Sequence, residues 1–238
     1  MIYCDIHTHH LPVHPEDVVV LNRFVSDLDR RISGRQGLLL SGKADNADYS
    51  YDFIPSIEAG RYYSVGIHPW YIYDVEEQIA ELNRQVLLPD VVAIGETGLD
   101  KGVDIPLTSQ QEVFRFSSSL AEDRGLFLII HCVKAWDELI ALRKELKPRM
   151  PWVIHGFRGN AILGKQLIRQ GFYLSFGQNF NPEAVREAWP DRLFVETDDR
   201  EIDIRTVYRN LSISLDLQME QFAGQVAENI RDILHFQL

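Results

Sequence analysis

Two cysteines, Cys4 and Cys132, are all that the 238 residues contain. They cannot build a disulfide framework, and each sits in an apolar, strand-like run, so both read as reduced packing residues. Long hydrophobic runs are missing too. No stretch approaches about 18 consecutive apolar residues, which excludes a transmembrane helix. The N-terminal MIYCDIHTHH meets a charge at Asp5 before any signal-type apolar core forms, so the expected location is cytoplasmic. No Ser/Gly-rich linker, low-complexity tract, charge block or fixed-period repeat divides the chain. Basic residues are in deficit, with 24 Lys and Arg against 35 Asp and Glu and a formal net charge of −11. That argues against a broad cationic face for gripping nucleic acid, but not against a local cationic site. Bound metal ions do not enter such a count, yet they are often the largest charges in a site.

What is present is a regular alternation. Continuous apolar runs predict strands at Ile2–His7, Val18–Phe24, Tyr62–Ile67, Val91–Glu96, Leu126–His131, Trp152–His155, Phe172–Phe176 and Leu193–Thr197. Helical spacing predicts helices over Val75–Val86, Thr108–Arg124, Trp136–Leu146 and Ala161–Gln170. A long terminal helix carries Phe222, Val226, Ile230, Ile233 and Leu234. Thr108 with Gln111 reads as a capping-box pair, and Gly125 and Gly171 read as helix stops. Strand–helix alternation is how a parallel sheet is written, and eight strands in a chain of this length point to a distorted (β/α)8 TIM barrel over residues 1–238. Val18–Phe24 follows the first strand too closely for a helix between them. Ser33–Gly60 has no period, so residues 10–60 are expected to be irregular.

Ligand-type residues fall at the strand ends. His7 and His9 close the first strand, Glu96 the fourth, His131 the fifth, His155 the sixth, and Asp198 the last. In a barrel of this kind all C-terminal strand ends face one mouth. His7 and His9, two apart on a strand, point to the same face. Each residue alone has a bland reading: a core histidine, a helix cap, an ion-pair partner. Six of them converging on one mouth do not. Imidazole with carboxylate suits Zn²⁺, Mn²⁺ or Fe²⁺, with Mg²⁺ less natural beside four histidines. Six ligands exceed the need of one catalytic metal with an open position, so two divalent ions sharing a bridging carboxylate are expected.

These residues lie in motifs that resemble the TatD-related metal-dependent deoxyribonucleases. The likeness is carried, in order, by Asp5-Ile-His7-Thr-His9, Gly66-Ile-His68-Pro69, Ala93-Ile-Gly-Glu96-Thr-Gly-Leu-Asp100, Ile130-His131, His155-Gly-Phe-Arg-Gly159 and Glu196-Thr-Asp198. Ala227-Glu-Asn229 resembles the closing helix. The resemblance implies His7, His9, Glu96, His131, His155 and Asp198 as ligands. It implies Glu96 as the bridge, with His7, His9 and Asp198 completing one site and His131 with His155 the other. The chain departs from the family between His9 and Tyr62. It departs again at His131-Cys-Val-Lys134, where an Arg commonly follows the histidine, and at Asp199-Arg-Glu-Ile-Asp, which replaces a Pro-rich loop.

Two metals suit hydrolysis of phosphodiesters, because they acidify water and neutralise charge on phosphoryl oxygens. Asp198 is the candidate base, with Glu96 beside it in the catalytic pair. Lys134 and Arg158 are candidate phosphate contacts, each equally readable as an ordinary surface cation. His68 is either a substrate contact or a loop histidine, and Trp70 and Tyr71 are rim aromatics able to stack or simply to cover the mouth. The expected partner is nucleic acid as substrate, as DNA ends or short single strands, or a small phosphoester. No membrane and no obligate protein partner are expected. Two other functions fit the same scaffold: binuclear hydrolysis of an amide, lactone or deamination substrate, and a non-enzymatic metal-binding barrel. Glu96, standing where many amidohydrolases carry a carboxylated lysine, favours the TatD-like reading.

Overall fold

The computed structural model describes residues 2–25 and 60–235, so the expected irregular stretch from Ser33 to Gly60 lies outside the described residues except for Gly60 itself. Eight strands form one sheet in chain order: β1 (Cys4–Thr8), β2 (Val18–Phe24), β3 (Arg61–Gly66), β4 (Val91–Asp100), β5 (Phe127–Val133), β6 (Trp152–Ile154), β7 (Tyr173–Phe176) and β8 (Leu193–Val195). Every neighbouring pair is parallel. A further parallel bridge between Thr8 and Asp198 brings the chain after β8 back to β1 and nearly closes the barrel. Residues 10–17, between β1 and β2, form bends and turns with no helix, as their short spacing predicts.

From β3 onward helices alternate with strands: α1 (Val75–Gln85), α2 (Leu107–Arg124), α3 (Trp136–Leu146), α4 (Ala161–Arg169), α5 (Pro182–Ala188), α6 (Ile204–Ser214) and α7 (Met219–His235). Their starts follow from short polar side chains. Asp74 accepts the Glu77 N–H ahead of α1, and Asn160 accepts the Leu163 N–H ahead of α4. The capping box at Thr108 and Gln111 does not form. Helix α2 begins one residue earlier, after Pro106, and no side chain caps it. Gln110 turns back instead. It donates to the Asp100 and Ile105 carbonyls and accepts the Asp100 N–H, which pins the start of α2 to the end of β4. Gly125 ends α2 at φ 68°, as expected.

Two strands run further than their apolar runs indicate. β4 continues past Glu96 to Asp100, and β5 past His131 to Val133. They remain paired through Gly98–His131 and Asp100–Val133 after a register shift between Ile94 and Thr97. Gly98 makes this possible, because a Cβ there would stand 1.9 Å from the His131 carbonyl oxygen. Glu96 therefore sits at an irregularity within a strand, not at its end.

Both cysteines are free, and burial pushes the Cys4 thiol up to about 12, which suits a packing role. The C-terminal helices lock onto the barrel through polar contacts. The Tyr208 hydroxyl of α6 donates to the Cys4 carbonyl and accepts the Cys4 N–H. Asn229 of α7 is buried and donates to the carbonyls of Pro190 and Leu193 at the start of β8. Asn229→Leu leaves those two carbonyls without their donor, at about 1–3 kcal/mol each. We expect a loss of about 3 kcal/mol and a melting temperature lower by roughly 6–12 °C, measured by calorimetry. A shift of under about 2 °C would show that the helix is held by apolar packing alone.

Candidate metal centre

The site is assembled where β8 meets β1. Asp198 N–H donates to the His7 carbonyl and His9 N–H to the Asp198 carbonyl, both at 3.0 Å. Beneath them the buried Asp5 carboxylate accepts from the Thr197 hydroxyl at 2.6 Å, the Thr197 N–H at 3.1 Å and the His7 N–H at 3.3 Å. Burial pushes the Asp5 carboxyl up to about 7. The two histidines of β1 and the aspartate after β8 are thus set by one small hydrogen-bonded block. Asp198 itself adopts φ 56°, which a non-glycine residue holds only when its surroundings impose it.

Glu96 lies opposite, 4% exposed. Its two oxygens face different neighbours. Oε1 stands 3.1 Å from His9 Nε2 and 3.5 Å from His7 Nε2. Oε2 stands 3.0 Å from His155 Nε2, 3.4 Å from His68 Nε2 and 3.9 Å from His131 Nδ1. Asp198 Oδ1 is 3.5 Å from His7 Nε2 and 3.8 Å from His9 Nε2. Atoms that each lie about 2.1 Å from one ion stand roughly 3–4 Å apart, so these separations suit shared cations. Groupings of potential ligand atoms within 4.8 Å of one another include His7, His9 and Asp198; His7, Glu96 and His155; and His68, Glu96 and His131.

The electrostatics agree. Burial alone would raise the Glu96 carboxyl, but the imidazoles of His155 and His7 outweigh it and hold it well below the usual range. Burial alone would lower His7 and His155, but the Glu96 charge outweighs it and raises both. A proton on either ring would supply positive charge that a divalent ion could bring instead, and ion binding would displace it. His131 goes the other way. Burial, with His68 and His155 nearby, pushes it down to about 4, so its ring is neutral and ready to coordinate. Both ring nitrogens of His7 and of His155 are buried without an aligned hydrogen-bond partner. Buried polar atoms are rarely left so, and divalent cations fit the donor set around them.

His68 lies in the loop after β3 and is buried. Its Nδ1 accepts the Trp70 N–H, so in the neutral ring the proton sits on Nε2, the atom facing Glu96 Oε2. That makes His68 a hydrogen-bond donor to the cluster and a poor ligand. Trp70 is half exposed at the rim, and its indole N–H donates to Asp100 at 2.6 Å. Lys134 and Arg158 stand exposed just beyond β5 and β6. Neither pairs with a carboxylate among the described residues, and neither touches the Glu96 cluster.

Three residues of the site carry no assigned role in the sequence reading. Asn22 of β2 donates to Glu96 Oε1 and accepts from Ser64. Glu196 is buried, and its Oε1 accepts the Gly156 N–H at 2.5 Å. With His155 and Asp198 it forms a fourth potential ligand grouping. Asp100 Oδ2 lies 3.0 Å from His131 Nε2, so that nitrogen donates and Nδ1 is left facing Glu96. Only Glu196 and Asp100 had a signal, since both lie inside quoted motifs. A carboxylate behind a ligating histidine fixes its tautomer, and its loss typically weakens metal binding by about 10–100-fold. Asp100→Asn should therefore weaken Mn²⁺ binding by about that factor, by titration calorimetry. Unchanged binding would remove Asp100 from the site.

Comparison with known proteins agrees with this geometry. A family model described as TatD related DNase matches residues 4–235. The chain is 30% identical to the 3'-5' ssDNA/RNA exonuclease TatD of Pantoea ananatis, over 87% of this chain and 89% of that protein. It is 35% identical to the uncharacterized metal-dependent hydrolase YabD of Bacillus subtilis, over 62% of this chain and 59% of that protein. Among solved structures, the fold is similar to YjjV, a TatD homolog from Escherichia coli, with a TM-score of 0.72 at 18% identity and 97% of each chain covered. The chain belongs to the TatD-related DNase family, a family of metal-dependent hydrolases.

Proposed function

We propose that this enzyme hydrolyses phosphodiester bonds in DNA or short oligonucleotides, working from ends or short single strands with two divalent cations at the barrel mouth. One observation carries the reading. Glu96 directs its two oxygens at separate imidazole sets, while the ring nitrogens of His7 and His155 lie buried and without aligned hydrogen bonds. Membership in the family and a relative named as a 3'-5' ssDNA/RNA exonuclease support it. In this reading His7, His9 and Asp198 would hold one cation and His131 with His155 the other, with Glu96 shared between them. Bound there, the cations would make water more acidic and neutralise charge gathering on the phosphoryl oxygens.

The chain's own groups do the rest. Asp198 accepts the proton of the attacking water at its carboxylate. Burial works against its charge, but His7 and His155 outweigh that and keep it ionised. Glu96 stays ionised for the same reason and keeps its two faces apart. His68 presents a donor on Nε2 toward the cluster, and Trp70 offers an indole face at the rim. Lys134 and Arg158, unpaired among the described residues and just beyond β5 and β6, attract the flanking phosphates. A chain of net charge −11 has little nonspecific grip on long duplex, whose binding rests on neutralised phosphates, so strand ends and short strands are favoured over internal duplex cuts. We also place the activity in the cytoplasm, which the two free cysteines support.

Release of nucleotides from a labelled single strand should stop in excess chelator and return with Mn²⁺ or Zn²⁺. Asp198→Asn should reduce turnover by about 10²-fold or more while retaining most of the metal. Turnover that survives chelation, or a variant as fast as the parent, would rule this mechanism out, and brisk hydrolysis of an amide or lactone alone would move the enzyme to another substrate class. Metal analysis checks the bridge separately: Glu96→Ala should deplete both ions and His131→Ala mainly one. Full stoichiometry in Glu96→Ala would be incompatible with a shared carboxylate.

A further inference from the structure

A shallow, solvent-open groove of about 640 Å³ is lined by Arg158, Gln178, Asn179, Phe180, Asn181 and Asn210, among others. Two of its walls start on Glu196. One is the loop after β6, where the Gly156 N–H donates to Glu196 Oε1 and the chain reaches Arg158 two residues on. The other is the loop after β7, where Gly177 is so close that a Cβ would lie 3.7 Å from Glu196 Cγ, with Gln178 following. Phe157 N–H donates to the Ser175 carbonyl, and the Phe157 and Phe176 rings meet edge-on at 5.9 Å, so the two loops leave the barrel side by side. Both loops are thus anchored on Glu196, which groups with His155 and Asp198 at the mouth.

The chemistry of the lining is specific. Arg158 is exposed and has no carboxylate partner among the described residues, in a chain with 35 acids to 24 Lys and Arg. Four side-chain amides, from Gln178, Asn179, Asn181 and Asn210, offer both donors and acceptors. Asn181 uses its carbonyl oxygen to cap α5, which leaves its NH₂ as a donor. Phe180 lines the groove, half-buried and packed partly against the core, and contacts no other aromatic ring among the described residues. One cation, several amides and one partly exposed aromatic side chain match what a single nucleotide needs: a phosphate contact, base-edge hydrogen bonds and a stacking partner.

We propose that this groove is a subsite for the nucleotide next to the scissile phosphate of a single strand, with Arg158 on its phosphate, Phe180 under its base and the amides on the base edge. The proposal rests on the phosphodiesterase reading above and adds where the strand runs: out of the metal centre across the ends of β6 and β7.

The test uses the metal-loaded enzyme and labelled phosphorothioate oligothymidylates of increasing length, with binding followed by fluorescence anisotropy. Affinity of the parent should rise steeply once a strand is long enough to enter the groove. Phe180→Ala should remove about tenfold or more of that gain. Arg158→Ala should reduce the slope of log affinity against log salt by about 0.7, the value for one phosphate on a single strand. Phe180 packs partly on the core, so Asn179→Asp and Asn210→Asp serve as exposed variants that place a negative charge in the groove and should weaken long strands more than short ones. A parent that cleaves single strands, with all four variants keeping its length dependence and salt slope, overturns the subsite and leaves the phosphodiesterase reading standing. A parent that neither binds nor cleaves any strand overturns both.

Discussion

A carboxylate buried at the axis of a barrel has to be met by positive charge, and Glu96 sets that demand for the whole mouth. In a low-dielectric interior an ionised carboxylate without a partner is prohibitively unstable. The strands respond by bringing histidines from β1, β5 and the ends of β3 and β6 within 3.0–3.9 Å of its two oxygens. Backbone is arranged to allow it. Glycines at 66, 95 and 98 let β3, β4 and β5 approach one another where any Cβ would collide with neighbouring main chain or with Ile129. The charge can come from protons on His7 and His155 or from divalent ions. Because both occupy the same ring nitrogens, metal affinity at this site must fall as the medium becomes more acidic.

The same demand couples chemistry to closure of the fold. The bridge from Thr8 to Asp198 is the seam between the last strand and the first, and the residue on its far side is the proposed base. Asp5 and Thr197 sit under the seam as a buried polar pair. A change that loosens the seam would move Asp198 and His9 together, so stability and turnover at this edge are not independent. Elsewhere the barrel is held by apolar burial and by contacts far from the mouth, such as Tyr208 on Cys4 and Asn229 on the start of β8. Changes there act on stability without touching the cluster.

Much of this was legible in the sequence, because strands buried on both faces must be written as continuous apolar runs. All eight strands lie where such runs occur, and His7, His9, Glu96, His131, His155 and Asp198 do converge. The failures have local causes. Thr108 and Gln111 fit a capping pattern, but Pro106 opens the helix and Gln110 holds it to β4. Helix α5, seven residues long, is too short to show a period, although Asn181-Pro182 marks its start. Asp100 and Asn22 act through another residue, and a supporting contact of that kind depends on three-dimensional proximity between β2, β4 and β5 that no spacing along the chain encodes. His68 was ambiguous for the same reason: its role is decided by which nitrogen Trp70 occupies.

For the proposed activity, an acidic protein facing an anionic polymer would have to separate its local field from its global one. At physiological ionic strength the screening length is about 8 Å, so most of the net charge of −11 is invisible to a phosphate at the mouth. What such a phosphate feels is the metal centre and the nearest free cations. Many of the basic side chains around the barrel are committed: Arg205 to Asp17 and Glu16, Lys101 to Glu138, and Arg200 to Asp199. Lys134 and Arg158 have no such partner among the described residues, and both follow strands that carry a proposed metal ligand. A strand end can reach that small positive region while the rest of the polymer stays in solvent. A long duplex would have to lie along the acidic surface to do the same. The proposed preference for ends and short strands is supported by the position of Lys134 and Arg158 just after β5 and β6, with no need for a dedicated wall to exclude duplex.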